Sequence, residues 1–333
     1  MKLSIVTINY NNAEGLRKTM ESVLKQTYYD FEYIIVDGAS TDGSVEVIRE
    51  YENQLHITHS TIHLLWSSEP DSGIYNAMNK GIEIALGRRV VNSLNRSEFV
   101  EDKNKGREMG INSFNRSERS DDKNRGIRKA KGEYTLMLNS GDYLVDEYVL
   151  ERIMPELDGT DIVQGNNIEE CSGKTYRNRG YGKSDIDFFD VMKGHFLHQS
   201  SFCKKDLFER YGCFDESYKM SGDTKFFMNC LGKNDASFKY IDIDVANYDL
   251  GGISAEKTGK WAQLRAEEHA RLMKELYSPR ILYFFEANDK KIRLYNQLHT
   301  HRWIWNLVML IAHIHNFFYG TLPITCRKEI NSK

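Results

Sequence analysis

Four polar clusters hold most of the side chains able to do chemistry: Asn9-Tyr10-Asn11-Asn12, Asp37 to Asp42, Glu69 to Gly73, and Asn139-Ser140-Gly141-Asp142. The last follows the apolar run Tyr134 to Leu138. An amide, a hydroxyl, a glycine and one carboxylate make either a turn that closes a strand or a cation site short of acids. Asp37 follows a second apolar run and precedes Gly38. A carboxylate there can accept hydrogen bonds from a nucleobase edge, and glycine lets a backbone approach closely. Its other reading is the start of a turn, with Asp42 capping the next helix. Asp223, in Ser221-Gly222-Asp223-Thr224, reads as a helix-start carboxylate favoured by the helix dipole.

These side chains need a scaffold, and the hydrophobic periodicity supplies one. Residues 3–8 read as a strand, and Leu16, Met20, Val23 and Leu24 share one helical face. Residues 31–36 read as a buried strand, followed by a helix carrying Val45, Ile48 and Tyr51. A strand at 62–66 precedes a helix marked by Ile74, Met78, Ile82 and Ala85. Beyond Asp142 the pattern predicts a helix around 146–157, a strand at 161–164, and a polar stretch to about 185. A strand at 198–202, a helix at 204–211, a helix from 222 to about 231 capped by Ser221, and a strand at 238–245 follow. A glycine-rich loop at 249–254 leads to a helix with Trp261, Leu264, Leu272 and Leu276 in one stripe. Strands alternating with helices imply an α/β fold with a mostly parallel sheet covered on both faces. Ligands of such sheets sit beyond the carboxyl ends of the strands, where the four clusters fall.

The chain has 333 residues, 40% hydrophobic and 28% charged, enough for a substantial core. A net charge of −3 argues against a dedicated nucleic-acid binder. Five cysteines without metal-like spacing read as reduced thiols of a cytosolic protein. Met1-Lys2 runs straight into a strand, leaving no room for an export signal. One segment breaks the order: Asn92-Ser93-Leu94-Asn95-Arg96-Ser97-Glu98 recurs as Asn112-Ser113-Phe114-Asn115-Arg116-Ser117-Glu118. Asp102-Lys103-Asn104-Lys105-Gly106 recurs at the same offset. Two partial copies do not make a solenoid, so residues 87–125 read as a duplicated, polar, mobile insertion.

The strings SIVTINYNN, YIIVDGASTDGS, SEPDSGIYNAMNKGI, YTLMLNSGDYL and HQSSFCKKDLFERYGCFDESYKMSGDTKFFM resemble, in order, the motifs of family 2 glycosyltransferases with the GT-A fold. The likeness covers residues 1–255 apart from the insertion, and the flavour is that of bacterial enzymes building surface polysaccharides such as capsule or lipopolysaccharide. It implies transfer of a sugar from a nucleotide diphosphate, most simply a UDP-sugar, with inversion at the anomeric carbon. The state crossed is oxocarbenium-like while the diphosphate leaves, so a divalent cation, Mg²⁺ or Mn²⁺, is implied at the leaving group. By the same resemblance, Asp142 holds the metal-bound diphosphate and Asp223 is the general base. Thr7, Asn9, Asn12, Asp37, Gly38, Glu69 and Asp71 line the nucleotide. Asn139, His198, Gln199 and Gly252 face the donor sugar or acceptor. Two departures stand out. Asn139 and Gly141 occupy positions where relatives carry acids, and Gly222 replaces an acid often found before the base.

Residues 256–333 form a helical region. From Trp303 to Ile324 no residue is formally charged. A bilayer span and packing against a protein surface are two readings. The polar residues inside the stretch (Asn306, His313, His315, Asn316) fit a helix lying in the membrane interface better. The implied location is then the cytoplasmic, inner face of the plasma membrane, with a lipid-linked or oligosaccharide acceptor and no nucleic acid. A non-catalytic nucleotide-sugar-binding partner in a polysaccharide assembly complex is the alternative. A nucleotidyltransferase would want a glycine-rich basic loop after the first strand, which Asn9 to Asn12 does not offer.

Overall fold

Strands β1 (Leu3–Asn9) and β2 (Phe31–Asp37) are buried at every position, as strands covered on both faces must be. In the computed structural model, which describes residues 3–57, 62–89, 91, 132–171, 173–251 and 258–319, they pair in parallel. β3 (His63–Ser68) lies outside β2, and β4 (Tyr134–Met137) lies on the other side of β1, both also parallel. Then come β5 (Tyr143–Leu144), β6 (Ile162–Cys171), β7 (Lys174–Asn178), β8 (Ser201–Lys204) and β9 (Phe238–Tyr248). Among the described residues one sheet runs β3-β2-β1-β4-β8-β6-β9-β5, with β7 attached to β6. The half before β8 is parallel. Beyond it β8 pairs antiparallel with both β4 and β6, β6 pairs parallel with β9, and β9 pairs antiparallel with β5.

The helices are α1 (Ala13–Leu24), α2 (Ser44–Ile57), α3 (Ile74–Ala85), α4 (Val149–Ile153), α5 (Phe188–Lys193), α6 (Asp206–Tyr211), α7 (Gly222–Met228), α8 (Lys260–Leu276), α9 (Pro279–Thr300) and α10 (Arg302–Tyr319). Leu16, Met20 and Val23 of α1 and Val47, Ile48 and Tyr51 of α2 share one core cluster with Leu3, Ile5, Tyr33 and Ile35. Val47, rather than Val45, is the buried valine of α2. Side chains alternate faces along a strand, so Val6 faces the other way, where α3 packs. There Gly81 is a requirement of close approach: a Cβ on it would sit 2.3 Å from Val6 Cγ1.

Three sequence readings are corrected. The polar stretch after residue 164 carries the antiparallel pair β6 and β7, whose exposed positions hide the strand signal. His198 opens a 3-10 turn, His198–Ser200, and not a strand. Ser221 precedes α7 without a side-chain capping bond. The duplicated segment, from residue 92 onward, lies outside the described residues, as does Gly252. The chain divides into two compact units, Met1–Leu272 and Met273–Lys333. The second holds α9 and α10. On α10, Trp303, Leu307, Leu310, Ile311 and Ile314 are all exposed, and their spacing puts them on one face.

Gly81→Ala should lower stability despite alanine's better helix propensity of about 1 kcal/mol. The inserted methyl overpacks a buried branched side chain, at a cost of about 1–3 kcal/mol. Chemical denaturation of Gly81→Ala, Val6→Ala and the double variant checks this. The double variant should lose less than the sum of the singles, and strict additivity would refute the contact.

Candidate active site

The carboxyl ends of β1, β2 and β3 are tied together by Asp37. The register sets Asn9 beside Asp37 and Asp37 beside Ser68. Asp37 Oδ1 accepts from Asn9 Nδ2 at 2.8 Å and from Ser40 Oγ at 2.6 Å. Its Oδ2 accepts from the Ser40 N–H at 3.0 Å and from Ser68 Oγ at 2.6 Å. The side chain is fully buried and its acceptor positions are filled from within the protein. These four bonds make Asp37 a structural knot at the ends of the three strands. Thr7 is likewise internal: its hydroxyl donates to the Leu138 carbonyl at 2.7 Å. Gly38 meets Asp71 closely, since a Cβ there would sit 2.6 Å from Asp71 Oδ2 and 3.1 Å from the Tyr10 ring. Asp71 and Tyr10 thus flank Gly38. Glu69 stands apart, bridged by Lys80 at 2.8 Å and by Arg89.

Asn12 caps α1 by accepting from Gly15 N–H, and its amide reaches the Ser140 carbonyl at 3.2 Å. That ties α1 to the Asn139–Asp142 loop. Thr19, from the next turn of α1, grips the same loop. Its hydroxyl donates to the Asp142 carbonyl at 2.7 Å and accepts from Gly141 N–H at 3.0 Å. Asp142 is 4% exposed. Burial pushes its carboxyl up to about 6, against the Asp249 N–H donated to its Oδ1 at 2.9 Å, and the Asp249 carboxylate adds repulsion. The Gln199 side chain draws the Asp142 carboxyl back down, and Gln199 Oε1 accepts from Asn167 Nδ2 at 3.3 Å.

Asp223 lies in the first turn of α7. Tyr75 OH donates to its Oδ1 at 2.9 Å, and His198 Nδ1 lies 3.0 Å from its Oδ2. Burial alone would raise the carboxyl. The His198 hydrogen bond and charge, the Thr224 N–H and the Tyr75 hydroxyl outweigh it, and Asp223 is held below the ordinary carboxylate value. Burial pulls His198 down, but the hydrogen bond and charge of Asp223 and the charge of Asp142 carry it above its ordinary value. The other ring nitrogen, Nε2, is 3.3 Å from Asn139 Nδ2. One imidazole therefore links α7 to the loop after β4.

Residues 4–93 match the family model "Glycosyl transferase family 2". The chain is 24% identical over 255 residues to the PGL/p-HBAD biosynthesis glycosyltransferase of Mycobacterium bovis, covering 75% of this chain and 78% of that protein. It is 35% identical over 101 residues to TuaG of Bacillus subtilis, a glycosyltransferase named for teichuronic acid biosynthesis, covering 30% and 38%. The chain is a glycosyltransferase, and its N-terminal part, residues 4–93, carries the family 2 match. Among solved structures it resembles S. aureus TarS 1-349 in complex with UDP-GlcNAc, with a TM-score of 0.54 at 15% identity, over 83% of this chain and 65% of that one. The shared fold is the expected GT-A architecture.

The glycosyltransferase explains its own departures from the family pattern. Gly141 has φ of 105°, a left-handed backbone that an acid adopts only under strain. A Cβ there would also sit 2.9 Å from Asp249 Oδ2. The room for an acid at 141 is taken by an acid from the loop after β9. At Gly222 a Cβ would meet the Tyr75 ring at 2.8 Å, so the tyrosine fills the space before Asp223. Sequence reasoning missed Tyr75, Thr19 and Asp249. The one available signal for Tyr75 and Thr19 was a polar group on an otherwise core-facing turn of helix.

Replacing Asp223 by Asn should lower the His198 pKa, because burial then acts with less opposition. Proton NMR titration of His198 in both proteins measures this. A folded His pKa raised above about 6.5 contributes stability that is complete below that value and lost as pH rises through the folded pKa. For Asp223, whose folded pKa is depressed, the contribution is lost as pH falls through it. The destabilisation by Asp223→Asn should therefore be largest between the two ordinary values and shrink as pH rises past the raised His198 pKa. An unmoved His198 titration would sink the coupling.

Proposed function

We propose that this enzyme is an inverting transferase that moves a sugar from a UDP-sugar to a glycan or lipid-linked glycan in surface polysaccharide synthesis. The observation that carries the reading is Asp223, kept ionised between His198 and Tyr75 next to the Asn139–Asp142 loop. An ionised carboxylate can take the proton from an acceptor hydroxyl. The freed oxygen attacks the anomeric carbon as the bond from that carbon to the diphosphate oxygen breaks, and attack opposite the leaving group inverts the centre. The relative named for teichuronic acid and the UDP-GlcNAc complex of TarS support the substrate classes.

The leaving diphosphate gathers negative charge, and the residues present fit a hard divalent cation there. Asp142 is a buried carboxylate with a raised pKa beside Asp249. Asn139 Oδ1 is buried without a hydrogen-bond partner. Among the described residues no cluster of three or more His, Cys, Asp or Glu is built for a metal. Asp142, Asp249 and Asn139 Oδ1 would therefore hold Mg²⁺ or Mn²⁺ together with donor phosphates and waters, since Mg²⁺ keeps its waters readily. Bound there, such a cation would supply Lewis-acid stabilisation of the departing diphosphate. With Asp249 supplying a second carboxylate, the reduced acid motif no longer argues for the non-catalytic alternative.

We place the enzyme peripherally at the inner face of the membrane. Among the described residues no helix is long and apolar enough to cross a bilayer. The exposed stripe Trp303, Leu307, Leu310, Ile311 and Ile314 supports a helix lying in the interface.

A panel of nucleotide sugars tests the chemistry by release of UDP, GDP or dTDP. UDP release should dominate, fall about 10²–10⁴-fold in Asp223→Asn, and fall in EDTA with recovery on added Mn²⁺ or Mg²⁺. Equal turnover by wild type and Asp223→Asn removes the base, and full activity in EDTA removes the cation. Flotation with anionic liposomes tests the location: wild type should float, and a triple Leu307→Ser, Leu310→Ser, Ile314→Ser variant should stay at the bottom. Equal flotation of both proteins would place membrane binding elsewhere.

A further inference from the structure

The segment that delivers Asp223 to the site is held from outside its own helix. Ser221 sits where a capping side chain is expected and makes no capping bond. The carboxylate of Glu268, on α8, takes that place. Its Oε1 accepts from Lys219 N–H at 2.7 Å, and its Oε2 accepts from Met220 N–H at 2.8 Å and Ser221 N–H at 2.9 Å. Three successive backbone donors thus converge on one buried side chain, 6% exposed. Hydrogen bonds to an ionised acceptor are short and strong, and a carboxylate at a helix start is also favoured by the helix dipole. Arg271, nearly one turn further along α8, donates to the Ser217 carbonyl at 3.1 Å and stacks 3.7 Å over the Tyr218 ring. Residues 217–221 are thereby gripped by two charged side chains of a single helix.

The grip ends one residue before Gly222, which lies under the Tyr75 ring, and two before Asp223. On α8, Glu268 shares the face of Trp261, Leu264 and Leu272, the face otherwise given to apolar side chains. A buried carboxylate on such a face is costly without partners, and its three partners all belong to the backbone that aims Asp223.

We propose that Glu268 is a positioning residue for the transfer reaction. It locks residues 219–221 so that Asp223 meets His198 and Tyr75, and so stays ionised. This rests on the reading of Asp223 as the base. In Glu268→Gln the side chain keeps its size, but its amide nitrogen now faces backbone donors and at least one bond is lost. The expected result is a 10- to 100-fold fall in kcat for UDP release from the preferred UDP-sugar, with UDP affinity by calorimetry within twofold of wild type. The acid limb of the kcat–pH profile should move to higher pH, because Asp223 loses the partners that hold its carboxyl down. Amides 219–221 should exchange with deuterium faster than in wild type. Glu268→Asp, which keeps the charge but withdraws it, should fall in between, and it serves as the working variant if Glu268→Gln is poorly folded. Unchanged kcat and pH limb, or a kcat loss matched by an equal loss of UDP affinity and a collapsed melting transition in both variants, overturns the proposal. Asp223→Asn run alongside separates the two ideas. If it is inactive while Glu268→Gln behaves as wild type, only the positioning role falls. If it is fully active, the base reading falls and takes this proposal with it.

Discussion

A charged carboxylate inside a protein stands or falls with its partners, and Asp223 is the case on which this site depends. Its burial opposes ionisation, and His198, Tyr75 and the Thr224 N–H reverse that outcome. Each partner comes from a different part of the sheet's architecture. Tyr75 sits at the start of the helix after β3, and His198 on the turn before β8. The same imidazole touches Asn139 at the end of β4. One ionised group therefore requires the parallel and the mixed halves of the sheet to be correctly apposed.

A second knot, at Asp37, ties the strand ends together as the first ties α7 to the loop after β4. Four internal hydrogen bonds consume its carboxylate, which fastens the ends of three parallel strands and the turn that follows β2. Just beyond these strand ends Asp71 and Tyr10 flank Gly38. Buried polar groups are mostly hydrogen-bonded; Asp37 is fully partnered here, whereas Asn9 Oδ1 beside it is buried without a partner.

Much of the architecture was legible in order and type. The strand–helix alternation through α3 follows directly from apolar runs and 3.6-residue stripes. β7 and the second half of β6 were not legible, because exposed positions carry few apolar residues there. The strand read at 198–202 begins only at Ser201, and ahead of it the chain makes a tight turn that aims the His198 ring at Asp223. Among site residues, Asp142, Asp223, Asn139, His198 and Gln199 are brought together, whereas Thr7 and Asp37 turn inward.

The sequence by itself determined the family motifs, the parallel half of the sheet, the position of the carboxylates at strand and helix ends, and the two places where glycine stands for an acid. Those are local properties, set by residue type, periodicity and turn chemistry. Only the tertiary structure decided why those glycines are there: the Tyr75 ring fills the space at 222, and Asp249 fills it at 141. It also decided that Glu268, more than forty residues from Asp223 in the chain, binds the backbone N–H groups of residues 219–221 just ahead of Asp223. Such assignments depend on which distant segments share a few ångströms of space, and spacing along one chain does not encode that proximity.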